Sequence, residues 1–167
     1  MIERVLSAGI VLLLAATPAL AQRPDFNGTW RLDQQASTIT TGEGLDGLGS
    51  PAPETLYITQ RRNGQMVIAS RLPGSQTRDY VMGGQTWVPA PRPSTGRFVM
   101  RSRVRGLSME SEASGEVEGE LVTVREVLTM DPNGRKITLV VSTTRSAGPE
   151  TNTLVYNRVG GGSQPSR

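Results

Sequence analysis

Few kinds of residue in this chain can move a proton. It has 15 Asp and Glu, three Tyr and a single lysine, Lys136, with no His and no Cys. That composition excludes histidine-activated nucleophiles, thiolate catalysis, histidine metal sites and thiolate zinc. Carboxylate, tyrosine, Ser–Lys and carboxylate–metal chemistry remain. Lys136 stands beside the turn Asp131-Pro132-Asn133-Gly134, where an ammonium is solvated. The acidic run Glu110–Glu120 alternates as strands do and lacks the Asp/Asn/Gly loop of a calcium site. The chain therefore reads as a non-enzyme, with no cofactor and no metal.

Binding chemistry is more promising, and Glu126 is its first candidate. Val122, Val124, Glu126, Leu128 and Met130 fall on one face of a period-2 segment, so the carboxylate lies on an apolar stripe. A buried carboxylate needs a cationic or hydrogen-bonding partner. Glu126 is then either a polar contact inside a ligand cavity, half of a structural pair with an internal Arg, or a group near a rim. Trp87 is the second candidate. It precedes Pro89, Pro91 and Pro93, and is placed either to cover an opening and touch a ligand or to plug the edge of the core. A third cluster, Arg101, Arg103 and Arg105, invites a phosphate-binding reading.

The elements that must position these groups are strands. Gly (19) and Pro (11) are frequent among 167 residues, and helical periodicity is almost absent. Alternating, β-branched runs separated by turn residues mark strands near 28–33, 55–61, 65–71, 76–82, 97–105, 108–117, 120–130, 135–144 and 151–158. Arg105-Gly106-Leu107-Ser108 suits a two-residue hairpin turn with Gly first. Pairing across it sets Arg103 against Glu110 and Arg101 against Glu112, with Val104 facing Met109 and Met100 facing Ala113. The arginines then belong to a solvated face whose partner strand already carries carboxylates. At Asp131-Pro132-Asn133-Gly134 two registers are open. Asp131 pairs with Arg135 in one; in the other Met130 pairs with Arg135, Leu128 with Ile137 and Glu126 with Leu139. The second aligns the apolar faces better, and burial fixes register.

Residues 34–53 are Gly-, Ser- and Thr-rich and are expected to form a long flexible loop; residues 83–96 are expected to form an extended Pro-rich loop, and 160–167 a disordered tail. Residues 1–21 have the plan of a secretory signal peptide, with an apolar run from Ile10, Pro18, and Ala19-Leu20-Ala21 before cleavage after Ala21. The apolar run is short of the ~20 residues a spanning helix needs. Residues 22–159 are left as one domain, working in the periplasm or outside the cell. A net charge of +3, spread along the chain rather than gathered in a stripe, does not point to nucleic acid.

The two ends carry a resemblance. Asp25-Phe26-Asn27-Gly28-Thr29-Trp30-Arg31-Leu32 holds the Gly-x-Trp signal of a first strand in lipocalins and fatty-acid-binding proteins. Thr153-Leu154-Val155-Tyr156-Asn157-Arg158-Val159 looks like the closing strand of fatty-acid-binding proteins. With a meander between them, the chain resembles the calycin superfamily, and most closely the short lipocalin-like domains of secreted bacterial proteins with no assigned activity. The resemblance implies an all-β fold: a single antiparallel up-and-down β-barrel of about 8–10 strands. It implies closure of one end by Gly28 and Trp30 under an Arg, either Arg158 or Arg145, and makes Tyr156 a ligand contact. It also implies binding or carriage of a small apolar or amphipathic molecule; the other reading is a filled barrel that acts as an envelope structural or interaction protein. Leu154 stands where fatty-acid-binding proteins place the carboxylate-holding Arg two residues before the Tyr. The four Gly and two Pro of residues 34–53 oppose the helical lid of those proteins.

Overall fold

The computed structural model describes residues 23–40, 52–70, 77–90 and 96–160. Ten strands follow one another: β1 (Gly28–Leu32), β2 (Thr55–Gln60), β3 (Gln65–Ser70), β4 (Arg78–Val81), β5 (Gln85–Pro89), β6 (Arg97–Arg105), β7 (Ser108–Val117), β8 (Glu120–Met130), β9 (Lys136–Arg145) and β10 (Gly148–Arg158). They form one antiparallel sheet in the order β4-β3-β2-β1-β10-β9-β8-β7-β6-β5. Each strand pairs with its neighbour in sequence except at two places. β1 pairs with β10, which wraps the sheet, and β4 and β5 end the order without a ladder between them. At that seam the turn after β4 crosses to β6: Gly83 N–H donates to Ser102 O at 2.8 Å, and Ser102 N–H to Gly84 O at 3.2 Å. The result is a nearly closed up-and-down barrel, with no helix among the described residues.

Period-2 alternation builds the interior. Leu56 and Ile58 of β2, Met66 and Ile68 of β3, Met109 and Ala113 of β7, Leu128 and Met130 of β8, and Ile137, Leu139 and Val141 of β9 all face inward and are buried. Gly115 of β7 makes room for the Phe98 ring. A Cβ at that glycine would lie 2.3 Å from Phe98 Cε1, closer than any real contact. Gly115→Ala is expected to lower folding free energy by about 1–3 kcal/mol through overpacking. Adding Phe98→Leu should recover part of that loss in urea unfolding.

The first hairpin has the expected register throughout: Arg103 opposes Glu110, Arg101 opposes Glu112, Val104 opposes Met109 and Met100 opposes Ala113. Gly106 has φ 55, the left-handed conformation the turn demands. Arg103 Nη2 donates to Glu110 Oε2 at 2.5 Å, and this bond holds the Glu110 carboxyl below its ordinary pKa. The charges meet on the solvated face.

The second hairpin takes neither expected register. Met130 pairs with Ile137, Leu128 with Leu139 and Glu126 with Val141. The loop is longer because Asp131 stabilises it twice. Its backbone closes on Lys136, with Asp131 N–H donating to Lys136 O at 2.9 Å, and its carboxylate accepts the Arg135 and Lys136 amides at 2.8 and 3.0 Å. Gly134, with φ 65, turns the chain inside that loop. The slip is two residues from the favoured register, so every side chain keeps its expected face.

Two expected loops also differ. Residues 83–96 contain strand β5, paired with β6 from Gln85↔Arg101 to Pro89↔Arg97. Pro89 is tolerated because it ends an edge strand, where its missing N–H breaks no ladder. The described beginning of residues 34–53 lies against β10 rather than free. Thr38 and Thr153 exchange backbone hydrogen bonds at 2.8 Å, Val155 N–H donates to Ser37 Oγ at 2.9 Å, and the Thr40 amide donates to Asn152 Oδ1 at 2.6 Å. The small hydroxyl residues that suggested flexibility are the ones that tie it down. Residues 1–21, the proposed cleavage site and most of the tail lie outside the described residues.

Candidate functional site

Glu126 points into the barrel and is 1% exposed. Strand β8 puts it there because every second residue from Val122 to Met130 faces inward. Its partners come from across the interior. Arg78 and Tyr80, two residues apart on β4, share the inner face of that strand and are likewise buried. Arg78 Nη1 donates to Glu126 Oε1, and the Tyr80 hydroxyl donates to Glu126 Oε2 at 2.8 Å. Both carboxylate oxygens are thus engaged, one by a cation and one by a phenol.

A row of small polar groups extends the cluster around the wall. Ser111 of β7 is the cross-strand neighbour of Glu126, and its hydroxyl donates to Ser102 Oγ of β6 at 2.8 Å. On the other side Glu126 neighbours Val141, which neighbours Asn152. Toward the end where β7 turns into β8, the wall becomes apolar again, with Met100, Ala113, Val122 and Val124. Toward the opposite end lie Met109, Leu128, Leu139 and Leu154. A polar belt therefore crosses a largely apolar interior, with Thr143 of β9 a further buried polar residue beside Val124.

Burial pushes the Tyr80 phenol up to about 12, against the opposing Arg78 charge. A phenol that ionises at 10.0 in the unfolded chain and near 12 in the folded one contributes stability fully present below pH 10 and lost as pH rises through 12. The stability advantage of the native protein over Tyr80→Phe should therefore shrink by about 2 kcal/mol between roughly pH 9 and 11.5, as read by urea midpoints.

The other candidates are placed elsewhere. Tyr156 is interior and fully buried, but nearer the Trp30 end, beside Ile137 and Leu32. Its hydroxyl donates to Pro53 O at 3.2 Å, and burial raises its pKa strongly. It does not join the Glu126 cluster. Trp87 is on the outer face of β5, 63% exposed, opposite Val99, so it neither lines the interior nor plugs the core edge. Trp30 is completely buried at one end of the barrel, and the Arg158 guanidinium lies 4.4 Å from its ring centroid. Gly28, with φ 136, lets the chain enter β1 beside them. Arg158, not Arg145, is the covering arginine.

Arg78 and Tyr80 were not singled out in the sequence. A signal was present: Arg78, Tyr80 and Met82 alternate along one face of the segment 76–82, and Glu126 called for an internal cation. Among the described residues no group of three or more His, Cys, Asp or Glu is placed to hold a metal ion. No helix there is long and apolar enough to cross a membrane.

No known protein family matches the chain, and no curated protein matches it. Solved structures do. Zebrafish ileal bile acid-binding protein complexed with cholic acid is similar with a TM-score of 0.54 and 11% identity, over 80% of this chain and 98% of that one. A mutant of the REP1-NXSQ fatty acid transporter is similar with a TM-score of 0.51 and 12% identity, over 80% of this chain and 97% of that one. At such identities the likeness is one of fold, an antiparallel β-barrel.

Proposed function

We propose that this protein binds and carries a small amphipathic molecule inside the barrel, with its polar group at Arg78, Tyr80 and Glu126 and its apolar part along Met100, Ala113, Val122 and Val124. The buried three-residue cluster on an apolar wall carries this reading. Two similar barrels, one titled as bile acid-binding and one as a fatty acid transporter, support it by fold. The signal-like residues 1–21 assign the work to the periplasm or the cell exterior, and amino-terminal sequencing of exported protein is expected to begin at Gln22.

The test is fluorescence titration of the purified protein with Nile red, followed by displacement with dodecan-1-ol. Saturable binding, displaced by the alcohol and lost on Val124→Trp, supports the reading. Absence of binding to any lipid-like probe, in a protein shown to be folded, overturns it. One observation favours a second reading. Both oxygens of Glu126 are already engaged, so the cluster also serves as a brace between β4 and β8 in a filled barrel acting through its surface. Exposed Trp87 would then be the contact, and Trp87→Ala would abolish recovery of an envelope partner.

A further inference from the structure

We infer that the site selects an electrically neutral polar head, an alcohol, ester or amide, over a carboxylate or an ammonium. This rests on the ligand-binding reading above and names the class of ligand. The charges of the belt cancel: Arg78 faces Glu126, and the remaining members, Tyr80, Ser102, Ser111 and Asn152, are neutral. A carboxylate entering here has two options. It can sit beside Glu126 as a second negative charge in a water-poor interior, where like charges repel strongly. Or it can take Arg78 for itself and leave Glu126 buried without its cation. An ammonium meets the mirror-image choice.

The arginine at the Trp30 end offers no escape. Arg158 covers Trp30 at the far end, and its Nη2 donates to Asp25 O at 2.9 Å. In the closing strand Leu154 stands two residues before Tyr156 and faces the core, so that strand supplies no cation at this level. A neutral head meets no such conflict. A hydroxyl can donate to the remaining lone pairs of Glu126 and accept from a serine hydroxyl, leaving the ion pair whole.

The experiment compares four heads on one chain length: dodecan-1-ol, methyl dodecanoate, dodecanoate and dodecyltrimethylammonium, each displacing Nile red at about pH 8, where both ions are fully charged. The expected result is half-displacement by the two neutral compounds at concentrations at least about tenfold lower than by either ion. Equal or tighter binding of dodecanoate overturns the inference while leaving the ligand-binding reading in place. Displacement by none of the four overturns both. Glu126→Gln adds a second measurement: with the negative charge gone and Arg78 unbalanced, dodecanoate should gain at least about tenfold relative to dodecan-1-ol. A folded Glu126→Gln protein with an unchanged preference also overturns it. If the variant does not fold, the four-compound comparison on the native protein decides alone.

Discussion

Glu126→Leu is expected to lower folding free energy by about 3–5 kcal/mol, and adding Arg78→Met is expected to restore most of it. The asymmetry follows from burial. Arg78 and Glu126 are 8% and 1% exposed, so neither charge is solvated when its partner is removed. The single variant leaves a guanidinium facing leucine, and Tyr80 loses the acceptor of its 2.8 Å hydrogen bond. The double variant removes both charges and fills the space with apolar atoms, leaving mainly the orphaned phenol to account for, at about 1–3 kcal/mol. Tyr80→Phe on top of the double variant should then cost little or stabilise. Urea unfolding of the native protein, Glu126→Leu, Arg78→Met and the double variant gives the coupling directly. Two equal and additive losses would mean that the two charges do not depend on each other.

The same series separates bracing from binding. If the cluster only braces β4 against β8, the double variant binds the four dodecyl compounds as the native protein does. If it receives a polar head, the double variant is stable and yet loses its preference among the four dodecyl compounds. Stability and selectivity are expected to part company at these two residues.

What the sequence disclosed is what alternation and turn chemistry govern. The β6–β7 hairpin was legible pair by pair, because Gly106 fixes a two-residue turn and opposite charges agree with the apolar face. The inward face of Glu126 was legible for the same reason. The β8–β9 register was not, since Asp131 uses its side chain to cap two amides, and side-chain capping lengthens a loop without altering the hydrophobic pattern. Strand β5 was hidden by Pro89 at its end and by Pro91 and Pro93 beyond it. The partner of Glu126 was hidden by closure: β4 lies far from β8 in the order of the sheet, and only wrapping brings Arg78 across the interior. Alternation identifies the face of a residue; it does not identify what lies opposite in a barrel.

Trp30→Ala is expected to cost about 3–5 kcal/mol, as large as any loss available to a single core position here. Trp30 is completely buried, its indole N–H donates to Phe26 O at 3.0 Å, and Arg158 lies over its ring. The segment ahead of it forms a plug. The Phe26 amide donates to Gln60 Oε1 at 2.7 Å, Gln60 Nε2 donates to Pro24 O at 3.2 Å, and Arg158 Nη2 donates to Asp25 O. Removing the indole therefore opens a cavity, orphans a buried carbonyl and takes from Arg158 the face it covers. Trp30→Phe keeps most of the volume and loses the N–H, so it should cost less, about 1–3 kcal/mol. Arg158→Ala alone should cost less than Trp30→Ala, and the cycle between them should give a coupling of about 0.5–2 kcal/mol, the range of a cation on a partly desolvated ring. A coupling near zero would mean that Trp30 closes the barrel by packing alone. A loss below about 1 kcal/mol for Trp30→Ala would mean that the sheet's wrap between β1 and β10 holds without its base, although Trp30 itself is completely buried.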